Sequence, residues 1–221
     1  MSFSFQWLRR RLERRERAGR AAIPLGRWVV VDTETSGLDP ERHPLLAIGA
    51  VAVDDDGIAL GDSFEVVLKS SAIGDAANIA LHGIGHGAQA AGTPAPEALA
   101  AFRDWCGAAP RVGFHADFDR AVLRKAFTGA GMPPDDALWL DLAPLAGAMA
   151  ADAYRHGGRS LDDWLTTFGI ECATRHNAAA DALATAELLL RLRSIAAKQG
   201  RFGFDALVRT ARQQKWLGIT D

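Results

Sequence analysis

Cysteine is scarce in this chain, with Cys106 and Cys172 its sole members. Two such residues, far apart, give neither a disulfide framework nor a metal-ligand spacing; a reducing compartment suits them and a structural zinc site does not. Long apolar runs are missing too. None approaches the ~18–20 residues needed to span a bilayer, and no hydrophobic signal region follows the arginine-rich start, so a soluble, cytoplasmic protein is expected. Internal repeats and low-complexity tracts are absent, apart from a general richness in alanine. Net charge is small as well, at −2, which taken as a total argues against a nucleic-acid partner. What is plentiful is apolar side chain: 48% of 221 residues, too rich for disorder and enough for one globular domain with an appendage.

The small net charge conceals an asymmetry. Residues 1–27 carry eight arginines against Glu13 and Glu16, a net of +6, leaving 17 basic and 25 acidic residues, or −8, on residues 28–221. An acidic body that handles an anionic polymer needs its site neutralised, and divalent metal is the obvious means. Within the arm, Phe5, Leu8 and Leu12 fall at i, i+3 and i+7 and predict a short helix over residues 5–19. That arm is read three ways: phosphate binding, partner docking, or a solvated helix laced with Arg9–Glu13 and Glu13–Arg17 pairs.

Gly26 punctuates the chain, and Trp28-Val29-Val30-Val31 reads as a buried strand ending at Asp32. Residues 45–54 and 58–68 are strand-like around the turn Asp54-Asp55-Asp56-Gly57. Helices are then expected at 94–106, begun by a capping Thr-Pro, and at 116–129, 143–151, 160–168, 178–198 and 204–216, with short strands at 110–115 and 137–142. Strands first and strand–helix alternation after predicts an α/β domain, a mixed sheet of about five strands covered by helices. The division expected is a basic helical arm at 1–25, the main domain at 26–200 and a helical extension at 201–221.

Three segments place acids where periodicity turns them inward. Asp32 and Glu34, two residues apart on a strand, share one face ~6–7 Å apart. On a helix from residue 116, Asp119 heads the stripe Val122, Leu123, Ala126, whereas Asp117 aligns with Arg120 and Arg124. Asn177 suits the N-cap of the long helix, and Asp181 heads its stripe Ala184, Leu188, Leu192, Ile195, with His176 on the entering loop. Each has an ordinary reading: a polar strand end, a first-turn acid favoured by the helix dipole, a surface imidazole. Four inward carboxylates together are another matter. Without cations they repel and hold protons; with divalent ions they become ligands, and oxygen-only ligation suits magnesium or manganese.

These segments resemble the motifs of the DnaQ-like, DEDDh group of 3′-to-5′ exonucleases, of ribonuclease H-like three-layer fold. The similarity runs from about Trp28 to Leu192. Val29 to Leu38 resembles the first motif, supplying Asp32 and Glu34; Val112 to Asp119 the second, supplying Asp119; His176-Asn177-Ala178-Ala179-Ala180-Asp181 the H-x-A-x-x-D third; and Leu81-His82-Gly83-Ile84 a softer fourth. The chain departs from the family in having Phe114-His115-Ala116 for His-Asn-Ala, and Gly85 where a hydroxyl residue often follows His-Gly-Ile.

The resemblance implies phosphodiester hydrolysis at the 3′ end of single-stranded nucleic acid, releasing nucleoside monophosphate, with two Mg2+ or Mn2+ ions. Asp32 would bridge both, Glu34 and Asp181 would hold the nucleophile-side ion, Asp119 the other, and His176 would act as general base. Thr35, Leu38 and His82 would contact the terminal nucleotide, Leu38 as a wedge. Arg155, Arg159 and Arg175 are candidate phosphate contacts, with solvated surface charge the commoner reading. A competing class is a partner- or nucleic-acid-binding module with incidental catalysis, against which the complete D-E-D-H-D set speaks. The chain lacks the extended tail of bacterial proofreading subunits, so a role as the main replicative proofreader is not expected. Gln213 to Leu217 resembles a sliding-clamp-binding peptide, which would imply a polymerase or clamp partner, although a helix end packing Trp216 is the plainer expectation.

Overall fold

A computed structural model describes residues 26–70, 79–80, 82–151 and 160–217. The arm, with its expected helix, and Leu81, Arg155 and Arg159 lie outside the described residues. Strands β1 (Trp28–Thr35), β2 (Leu45–Val53) and β3 (Ile58–Val67) form an antiparallel meander. They are followed by α1 (His86–Ala90), α2 (Ala95–Cys106), β4 (Arg111–Gly113), α3 (Ala116–Gly129), β5 (Trp139–Asp141), α4 (Leu142–Met149), α5 (Leu161–Phe168), α6 (Ala178–Lys198) and α7 (Gly203–Leu217). The sheet runs β3-β2-β1-β4-β5, with β4 parallel to β1 and β5 parallel to β4. This is the mixed five-stranded α/β sheet that the sequence pattern predicts, with helices on both faces.

Strands β1 and β2 read as almost unbroken apolar runs because both of their faces are covered. Val29, Val31, Ile48 and Ala50 pack on one side with Leu99 and Phe102 of α2 and Val122, Leu123 and Phe127 of α3. Trp28, Val30, Val51 and Val53 pack on the other with α4, α5, α6 and α7, including Trp164, Leu188, Leu192, Leu207 and Ala211. The third layer needs helices of small and aliphatic residues, which explains the alanines of α6. Among the described residues, no helix is long and apolar enough to cross a membrane.

Several boundaries differ from expectation for physical reasons. β1 continues three residues past Asp32, because Thr33, Glu34 and Thr35 pair with Ile48, Ala47 and Leu45, the register shifting between Glu34 and Thr35. β4 and β5 are shorter than predicted, each turning at once towards a helix. The Thr-Pro start of α2 is not a side-chain cap: Pro94 is the N-cap, while Thr93 donates its N–H to Val67 and accepts from Lys69 alongside the sheet. Short α1 was not predicted. At the far end, Trp216 does not pack as expected, being 69% exposed.

Candidate active site

The site begins with strand parity. Thr33 is buried towards the α3 side, so Asp32 and Glu34 turn together to the opposite face, at the end of β1 where pairing with β2 becomes irregular. Asp32 lies across from Gly49, and a Cβ on Gly49 would fall 2.1 Å from the Ala178 carbonyl carbon. A bare glycine thus lets the first turn of α6 rest on the sheet beside Asp32. Asn177 fixes that turn, its Oδ1 accepting the Ala180 N–H at 3.0 Å. Asp181, buried one turn in, then brings a carboxylate oxygen to within 4.8 Å of one from Asp32 and one from Glu34.

Asp119 arrives from the other layer. It is buried at the start of α3, and the Thr33 hydroxyl donates to its Oδ1 at 2.7 Å. Its partner acid Asp117 is exposed, as the helical stripe predicts. Asp119 stands outside the tight trio but close enough for its charge to act on Asp32. Burial, followed by the charges of Asp119, Glu34 and Asp181, holds the Asp32 carboxyl well above the usual range. Burial, then Asp181, pushes Glu34 up to about 7. Asp119 is also raised to about 7 by burial, against the pull of the Thr33 hydrogen bond. Acids that cannot all ionise unaided, converging as hard oxygen donors, fit a hard divalent cation.

His176 enters by its backbone. It has φ 61°, a left-handed conformation rare outside glycine, and its N–H donates to Asp181 Oδ2 at 3.0 Å. Strain of this kind is retained where the surroundings fix it, commonly at functional sites. His115 is the other non-glycine residue with positive φ among the described residues, at 56°, and its ring is exposed. Asparagine tolerates that conformation better than most residues, and in this chain a histidine meets the same backbone demand. His82 is buried, accepts the Ile84 N–H on Nδ1 at 3.1 Å, and has no partner for Nε2 among the described residues. Burial, then the neighbouring His176, lowers its pKa.

Thr35 spends its hydroxyl on the Gly37 carbonyl at 2.6 Å, closing the turn that presents Leu38, 89% exposed, beside the end of β1. Arg175 corrects the expectation of a solvated surface charge. Its guanidinium pairs with Asp162 of α5 and with Asp181 itself. Cys172 also reaches Asp181, its thiol donating to Oδ1 at 3.4 Å. Thr33, Gly49, Cys172 and the pairing of Arg175 escaped sequence reasoning. Parity alone could have flagged Thr33, whereas the rest depend on how α6 is docked.

A family model described as "Exonuclease" matches residues 29–189, the larger part of the chain. Among curated proteins, a DNA polymerase III subunit epsilon-like protein of Rhodobacter capsulatus is 30% identical over 205 residues, covering 89% of this chain and 29% of that protein. A DNA polymerase III PolC-type of Staphylococcus haemolyticus is 26% identical over 168 residues, covering 75% of this chain and 11% of its own length. The chain therefore spans less than a third of either relative. Among solved structures, E. coli exonuclease I in complex with a dA16 oligonucleotide superposes with a TM-score of 0.66 at 19% identity, over 78% of this chain and 42% of that one. The zinc ion-bound form of its complex with single-stranded DNA gives 0.65 at 20%, over 80% and 42%.

Proposed function

Because the chain belongs to the DnaQ-like exonuclease family with the ribonuclease H-like fold, we propose that it removes nucleotides from the 3′ end of single-stranded nucleic acid, DNA foremost, by metal-dependent phosphodiester hydrolysis. The observation that carries this reading is the convergence of Asp32, Glu34 and Asp181 oxygens within 4.8 Å, with His176 tied by its backbone to one of those acids. That relatives carry the names DNA polymerase III subunit epsilon-like and DNA polymerase III PolC-type, and that exonuclease I is solved with DNA oligonucleotides, favours DNA over RNA.

In this reading Asp32, Glu34 and Asp181 would hold Mg2+ or Mn2+ from one side, and Asp119, from the opposite layer, would complete a two-ion site. Bound there, the ions supply charge neutralisation for the scissile phosphate and a more acidic water. The rest of the chemistry belongs to the chain. Thr33 orients Asp119 by its hydrogen bond. The His176 imidazole accepts a proton from the attacking water, and the left-handed turn fixes where that ring stands. Leu38 sets an apolar edge against the terminal base, the backbone around Thr35 lies along the terminal nucleotide, and His82 offers its Nε2 proton to a substrate oxygen. The product is a nucleoside monophosphate. Any polymerase or clamp contact would rest on the exposed Trp216 and Leu217 at the end of α7.

The test is digestion of 3′-labelled single-stranded DNA, 3′-mismatched duplex and RNA with Mg2+ or Mn2+. Asp32→Asn is expected to abolish nucleotide release and His176→Ala to reduce it about 10²- to 10⁴-fold, with circular dichroism unchanged. Release that survives both substitutions would overturn the reading.

A further inference from the structure

Asp181 is unusually well occupied. Its Oδ2 accepts the His176 N–H, and its Oδ1 accepts the Cys172 thiol and pairs with the Arg175 guanidinium. The first contact is backbone and holds the turn into α6, and the second is weak. The third is a full positive charge, always present because arginine does not deprotonate in proteins. Arg175 is also anchored from outside: its Nε and Nη2 reach the two oxygens of Asp162 in the first turn of α5. Its side chain is 26% exposed and that of Asp181 6%, so the pair lies at the edge of the carboxylate trio, in which Asp32 and Glu34 are half-buried. Its charge also draws the Asp32 and Glu34 carboxyls downward, against burial and their mutual repulsion.

We propose that Arg175 is a built-in counterion that competes with the divalent cation for Asp181 and so sets how tightly the site takes up metal. The proposal rests on the metal-binding reading given above. A guanidinium and a hard cation seek the same oxygen, and two positive groups cannot both sit on it without repulsion. Asp162 gives the guanidinium somewhere to remain when Asp181 turns to the ion, so the exchange needs only a pivot. Arg175 is thus a positioning residue, acting on affinity through Asp181.

The experiment is calorimetric titration of the full chain with Mn2+ alone, beside thermal unfolding in EDTA and in saturating Mn2+. Arg175→Gln is expected to bind Mn2+ up to about tenfold more tightly than wild type. It should also gain more in melting temperature from the metal, because the carboxylates have lost their counterion in EDTA. Arg175→Lys, which keeps the charge, should titrate close to wild type. A structural role would instead lower the melting temperature equally with and without metal and leave affinity unchanged or weaker, which overturns the proposal. Equal tightening in the Gln and Lys variants overturns it too, since charge would then not be the agent. If wild type shows no Mn2+ binding that Asp32→Asn removes, the functional reading itself fails; if it does bind and Arg175→Gln is no tighter, only this inference fails.

Discussion

At the scale of the residue, the site is a set of carboxyl groups held away from their preferred state. Glu34 and Asp119 are both pushed up to about 7 by burial. A carboxyl whose folded pKa is raised adds most to stability below its unfolded pKa, and that contribution is lost as pH rises through the folded value. In EDTA the protein should therefore lose stability between about pH 5 and about pH 8, and Mn2+ should reverse the loss at the upper end; urea midpoints at the two pH values check this. Thr33 belongs to the same argument. Replacing it by valine removes the donor to buried Asp119, at an expected cost of about 1–3 kcal/mol in the midpoint analysis, with a further rise in the acid's pKa. A Thr33→Val chain as stable as wild type would show that the hydroxyl is dispensable.

Elements meet at Gly49, where β2 lets α6 approach the sheet. Gly49→Ala would put a methyl against the Ala178–Ala179 backbone, which cannot swing aside as a side chain can. Overpacking of this kind costs typically ~1–3 kcal/mol. Here it should also carry Asp181 away from Asp32 and Glu34, so Mn2+ affinity is expected to fall along with stability; calorimetry beside a denaturation curve reads both. The elements themselves were largely legible. α3 and α6 occupy the predicted residues 116–129 and 178–198, because Asp119 and Asp181 each head an uninterrupted apolar stripe. Thr93 misled because threonine before proline is a fair cap in isolation, whereas its backbone is taken up by Val67 and Lys69 at the sheet margin.

For the whole molecule, the arrangement of charge matters more than its sum. The residues from 28 onward are acidic and include the carboxylates that would hold the metal, while the first 27 carry a net of +6. If that arm contacts phosphates, deleting residues 1–25 should weaken oligonucleotide affinity and flatten its dependence on salt, while release from saturating substrate stays near wild type. An unchanged salt slope, measured by fluorescence anisotropy over a range of salt concentrations, would exclude phosphate contact by the arm.

The order of the strands and of every described helix but the short α1, the inward turn of Asp32, Glu34, Asp119 and Asp181, and the motifs around them were determined by the sequence alone. Periodicity of two or 3.6 residues says which face a side chain takes without reference to the rest of the fold. What it cannot say is which faces meet. Only the tertiary structure brought Asp181 onto Asp32 through a glycine on a third segment, left Asp119 one hydrogen bond behind in the opposite layer, and drew Arg175 from an expected surface position onto a carboxylate. Those contacts join residues far apart in the chain, and their energies depend on burial and mutual charge, which exist only once the layers have closed.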